Sequence, residues 1–136
     1  MSIVPVTPLL LKDVEATIGT DDYRRHLSQV EFTPSSSTTS WTGLGLNTHT
    51  DSSTATWALT LKYAQDWDDP DSLSRYLYDH EGETVAMTFR PRSGIGPSFT
   101  AQVVITPGAI GGSVNAYAET SVTLGCNGKP VLVPAV

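Results

Sequence analysis

Residues 54–63, TATWALTLKY, alternate strictly. Ala55, Trp57, Leu59, Leu61 and Tyr63 fall on one side, and Thr54, Thr56, Ala58, Thr60 and Lys62 on the other. A side-chain period of two with one apolar face predicts a half-buried strand. Downstream, Asp69-Pro70 opens a segment in which Leu73, Tyr76, Leu77 and His80 share one stripe at spacings of three and four. This predicts one short helix over about residues 70–81. Asp69 is placed to cap it, Pro70 suits its first position, and Gly82 can adopt the left-handed conformation that ends it.

Three further alternating stretches follow, at Thr84–Arg90, Ser98–Thr106 and Ala116–Leu124. Glycine-rich turns at 93–97 and 107–112 separate them. Upstream, Leu27–Thr33 alternates and is expected to stop at Pro34, which cannot donate to a ladder. Leu9–Ile18 reads as another strand, followed by a turn at Gly19–Asp22. The architecture expected is mainly β, a β-sandwich or partly closed barrel with one flanking helix. The tail at 126–136 is expected to be extended.

Residues 35–53, SSSTTSWTGLGLNTHTDSS, form a polar stretch longer than compact domains usually leave unstructured. Two readings stand: a mobile loop, or an extended arm or hairpin that orders against a neighbouring subunit. Trp41 favours the second, since an exposed tryptophan in a polar loop commonly anchors an interface. On that reading Ser40, Trp41, Leu44, Leu46, Asn47 and His49 are the candidate contacts.

The 136 residues fit a single domain spanning 1–136. Charged residues make up only 16%, with Ser and Thr in their place, as expected where surface meets other copies of the chain. The formal charge is −6 with eight Lys and Arg in all, which argues against binding DNA through phosphate neutralisation. Cys126 is the one cysteine, so neither an intramolecular disulfide nor a thiolate metal site is available within one chain. No apolar run is long enough to span a bilayer, and the N-terminus lacks signal-peptide character, so synthesis and folding in the cytoplasm are expected.

Catalytic chemistry finds no motif. His26, His49 and His80 sit in no nucleophile or metalloprotease pattern, and the glycine pairs Gly43-Leu-Gly45 and Gly94-Ile-Gly96 match no phosphate-binding loop. The acidic run Asp66-Trp-Asp68-Asp69-Pro-Asp71 suggests Ca²⁺ ligation, but the glycine and distal glutamate of an EF-hand loop are missing. Carboxylates near a helix N-terminus give the simpler reading. No cofactor and no enzymatic activity are expected.

The stretch from Ala55 to Gly94, with its Gln65-Asp-Trp67 turn and Asp71-Ser-Leu73 helix start, resembles the core of siphophage major tail proteins. The following residues through Gly128-Lys-Pro130 resemble the ending of that family. The likeness is good over about 54–130 and loose before it. It implies a virion structural protein forming hexameric rings that stack into a tail tube, made in the host cytoplasm. Its partners would be further copies of itself, a tape measure protein, and tail terminator and tip proteins. DNA would pass through without specific binding, repelled by an acidic lumen, and no membrane contact is implied. Polar strand faces supply the candidates for that lining or for plain exposure: Gln29, Glu31, Thr56, Thr60, Thr100, Gln102, Glu119 and Ser121. Alternatives are a capsid decoration protein, a tail terminator, or a carbohydrate-binding β-sandwich using Trp41, Trp57 and Trp67. Removing residues 37–51 is expected to leave the fold intact and to block tube elongation.

Overall fold

The structure, a computed structural model, describes residues 2–92 and 94–134. Among these, ten strands and one helix follow in order: β1 Glu15–Ile18, β2 Asp21–Asp22, β3 Leu27–Ser35, β4 Thr38–Thr42, β5 Thr48–Ser52, β6 Thr56–Ala64, α1 Leu73–Asp79, β7 Thr84–Arg90, β8 Ser98–Val104, β9 Glu119–Gly125 and β10 Val131–Val133. They form a five-stranded sheet β10-β8-β7-β1-β2, a three-stranded sheet β3-β6-β9 and a separate hairpin β4-β5. The strand pairs are antiparallel.

The alternation in β6 sets the core. Leu59, Leu61 and Tyr63 point inward and are buried, together with Val122 and Leu124 from the neighbouring β9. From the five-stranded sheet come Ala16, Ile18, Met87, Phe89, Ala101 and Val103, and from the helix Leu73 and Leu77, all in one buried cluster. Two sheets thus face each other across a common core, as in a sandwich. Tyr63 is fixed at its far end, where its hydroxyl lies against the backbone of Gly108. A methyl group on Gly108 would also press Thr120 Cγ2 at 3.2 Å. Gly108→Ala is therefore expected to cost about 1–3 kcal/mol through overpacking, read as a lower urea midpoint at unchanged slope.

The chain crosses between the two sheets at two corners. After β9 the chain turns a corner: Cys126 bridges to Val103 of β8, and the Asn127 amide donates to the Gln102 carbonyl at 2.8 Å. Gly128 turns with φ +93°, and the chain then joins the five-stranded sheet as β10, pairing with the start of β8. One stretch of chain therefore serves both sheets, a recognised way of making a corner. A second crossing joins β2 to β3: the Tyr23 amide donates to the Ala16 carbonyl of β1 at 2.9 Å, and the His26 carbonyl accepts from the Ala64 amide of β6 at 2.9 Å. An apolar groove of about 820 Å³ runs between β3 and β10, lined by Leu9, Leu11, Phe32, Trp57, Phe99 and Leu132.

Several local expectations are corrected. The first strand begins at Glu15, not Leu9; Leu9 and Leu10 are exposed, and Leu9 lines the groove. Pro34 does not end β3 but pairs opposite Trp57 within it. This is tolerated because β3 is an edge strand and the missing amide leaves no ladder gap. The helix spans Leu73–Asp79 and is capped by Ser72, whose hydroxyl accepts from the Arg75 amide at 3.3 Å and donates to the Asp66 carbonyl. Asp69 instead accepts from the Asp71 amide at 2.9 Å, and Pro70 lies in the turn before the helix. Gly82 takes φ +86°, as anticipated.

Candidate functional site

Residues 35–53 are not an irregular loop. Ser37 and Ser53 close the base: the Ser53 amide donates to the Ser37 carbonyl at 2.8 Å, and the Ser37 amide to the Ser53 hydroxyl at 2.9 Å. Beyond them β4 and β5 pair in strict register, Ser40 with Thr50 and Trp41 with His49. Every residue of both strands is exposed. A two-stranded ribbon open on both faces is marginal by itself. Its interior has little to offer except the Ser40–Thr50 hydroxyl pair at 3.0 Å and the Trp41–His49 ring contact.

The tip is built for display. The Gly43 amide donates to the Asn47 carbonyl at 2.8 Å and the Leu46 amide to the Gly43 carbonyl at 3.0 Å. Leu44 is wholly exposed and Leu46 is 86% exposed. Leu46 also has φ +62°, a left-handed conformation that a bulky L-residue adopts at a cost of roughly 1–2 kcal/mol. Glycine would sit here without that strain, and nothing in the chain's own fold compensates the exposed leucine for it. Leu46→Gly should leave the melting temperature unchanged or raised while weakening self-association, measured side by side by calorimetry and sedimentation. All six expected contact residues, Ser40, Trp41, Leu44, Leu46, Asn47 and His49, thus lie on one projecting ribbon.

The polar-face candidates divide. Across β3-β6-β9, Gln29 lies opposite Lys62 and Lys62 opposite Ser121; Glu31 lies opposite Thr60 and Thr60 opposite Thr123. Thr56 and Glu119 continue the same face at opposite ends of the sheet. Gln29, Glu31, Thr56, Thr60, Glu119 and Ser121 therefore share one surface, turned away from buried Leu59, Leu61, Val122 and Leu124. Thr100 and Gln102 do not join them. They lie on β8, beside Thr88 and Ala86, on the outer face of the other sheet. Period-two patterning assigns each residue to a face of its own strand, but not strands to sheets. The shared face carries Glu31, Glu119 and Lys62, with Lys62 Nζ 3.4 Å from Glu119 Oε1, an excess of one negative charge.

Elsewhere the carboxylates have structural work. Asp66 Oδ1 accepts from the amides of Asp68 and Asp69, and among the described residues no three His, Cys, Asp or Glu side chains gather as a metal cradle. Burial pushes the hydroxyls of Tyr23, Tyr63 and Tyr76 and the Cys126 thiol upward. Burial also raises Asp22, but its bonds with the Arg24 side chain and amide outweigh that and hold the carboxyl below its usual value. These shifts all move away from neutral pH, opposite to what acid–base catalysis needs.

Two other features escaped sequence reading. One is the apolar groove, whose lining converges from six separate segments: the N-terminal stretch, β3, β6, β7, β8 and the chain into β10. The other is the connection from β8 to β9, which presents Ile110, Val114 and Tyr117 to solvent. Ile110 lies in the glycine-rich turn expected at 107–112, whereas Tyr117 falls in the Ala116–Leu124 stretch expected to be a strand; β9 starts only at Glu119, and 116–118 belong to the connection.

A chain in the sheath–tube complex of an extracellular contractile injection system, PVC, in its extended state superposes with a TM-score of 0.70 over 93% of this chain and 92% of its own, at 12% identity. The chain shares the fold of an injection-system component. A chain from the sheath/tube terminator of the same kind of system matches with the same score over 95% of this chain and 99% of its own, again at 12% identity. No family model matches the chain, and no curated protein matches it in sequence. At this identity the matches speak for fold alone. They share the mainly β fold of this chain, and they come from a contractile system, not a siphophage.

Proposed function

We propose that this chain is a structural subunit of a phage-type tail, polymerising as stacked hexameric rings into a tube. The observation that carries this reading is a near end-to-end superposition on a sheath–tube complex chain by a protein whose strained, apolar-tipped hairpin projects free of its own fold. Head-to-tail contacts between identical subunits close into rings or run on as filaments, and a tube uses both. The edge strands β3 and β9 are free to pair with neighbours, turning an aggregation hazard into a joint. The face with Gln29, Glu31, Thr56, Thr60, Glu119 and Ser121 is our choice for the lumen. Repeated at one excess negative charge per copy, it would let DNA pass without sticking. The role is structural, within the virion tail of a siphophage, with tape measure and terminator proteins as partners.

Negative-stain microscopy of the purified protein tests the reading. Hollow tubes with stacked rings support it; a protein monomeric at every concentration and salt would end it. The equally good match to a sheath/tube terminator favours a second reading, a ring that caps a tube. Discrete rings that never stack would favour that alternative.

A further inference from the structure

Two projections leave opposite ends of β6. The β4-β5 hairpin enters β6 at Thr56, while the β8–β9 connection returns beside its other end, where Ala64 pairs with Glu119. Nine residues of strand hold the two about 26 Å apart along the strand direction. The second projection is no slack loop. Gln65 grips it with its side chain: Nε2 donates to the Gly111 carbonyl at 2.9 Å, and Oε1 accepts from the Gly111 amide at 3.0 Å. The Gln65 backbone amide adds a bond to the Ala118 carbonyl at 2.9 Å. Between these clamps the chain turns at Val114-Asn115, with Asn115 at φ +66°. Ile110, Val114 and Tyr117 are held outward, Tyr117 at 99% exposure.

The two projections match in chemistry. Residues 36–50 contain no Asp, Glu, Lys or Arg, and neither do residues 104–118. Each shows three exposed large apolar side chains on a braced turn: Trp41, Leu44 and Leu46 at one end, Ile110, Val114 and Tyr117 at the other. Joining them would bury apolar surface without stripping water from any formal charge, the costly part of most contacts. Because they sit at opposite ends, they cannot meet within one molecule, and a contact between copies leaves one of each free at either end. That geometry propagates.

We propose that the 107–118 turn is the receptor for the hairpin tip of the next copy, so that one ring docks on another through Leu44 and Leu46 against Val114 and Tyr117. This rests on the tube reading and names the surface that receives the hairpin.

The test uses exposed positions, so that folding is preserved and checked by circular dichroism. Polymerisation of wild type, Val114→Asp, Leu44→Lys and the Val114→Asp/Leu44→Lys double variant is followed by sedimentation and microscopy. Val114→Asp and Leu44→Lys should each raise the concentration needed for polymerisation by roughly tenfold or more, as an unpaired charge is buried. The double variant should recover most of that loss by pairing the two charges. Wild-type tubes together with unimpaired Val114→Asp tubes, or single variants impaired with no recovery in the double, would overturn this contact and leave the tube reading standing. Wild-type protein that forms only discrete rings would overturn both.

Discussion

Replacing Thr38–Ser52 with Asn-Gly should give a folded protein that forms no tubes. Ser37 and Ser53 already lie opposite each other and exchange hydrogen bonds, so a two-residue turn can join them without disturbing β3 or β6. The excised segment buries no residue and pairs only with itself. Its loss should therefore move the melting temperature by no more than about 2 °C, consistent with surface changes worth within ~0.5 kcal/mol. Polymerisation should fall below detection by sedimentation and microscopy. These cuts are better placed than an excision of 37–51, which would take Ser37 from the base and leave Ser52 and Ser53 unpaired. Tubes of normal length from the excised protein would show that the hairpin is dispensable.

The opposite result is expected from Leu61→Ala. Leu61 is fully buried at the centre of β6, the middle strand of its sheet, between Val30 and Val122. Large-to-small changes at such sites cost about 2–5 kcal/mol, because neighbours close only part of the cavity. Against a total stability of roughly 5–15 kcal/mol that is severe. The melting temperature should fall by about 10 °C or more. Tubes, if assembly supplies binding energy to the fold, should then survive only at higher protein concentration. A shift under 3 °C in scanning calorimetry would contradict the placement of Leu61 in a rigid core.

What could be read in the sequence follows the strength of the physical signal. β6 and β7 were legible because one face is buried and the other wet, and β7 runs from Thr84 to Arg90 as expected. At 35–53 the sequence leaves a hairpin and a mobile loop side by side, since both faces of β4 and β5 are exposed and no alternation decides between them. Ser72 was passed over as a cap because Asp69-Pro70 looks like a helix start; only the folded chain shows Asp69 engaged with the Asp71 amide. Leu9–Leu11 misled in the other direction, an apolar run that suggests a strand but borders a groove. The polar-face residues lie on the side of their strands turned away from the core, Thr60 and Thr100 half-buried. Their division between two sheets depends on long-range pairing, to which period-two patterning is blind.

The two crossings from sheet to sheet, at Cys126–Asn127 and at Tyr23–His26, act as seams that stitch the layers together. The groove lined by Phe32, Trp57, Phe99 and Leu132 is the unstitched stretch between them. Breathing should therefore begin at the groove, and amide hydrogen exchange should run faster in β10, a three-residue edge strand, than in the central β6. A wall assembled from such subunits would flex along its grooves while the seams stayed shut.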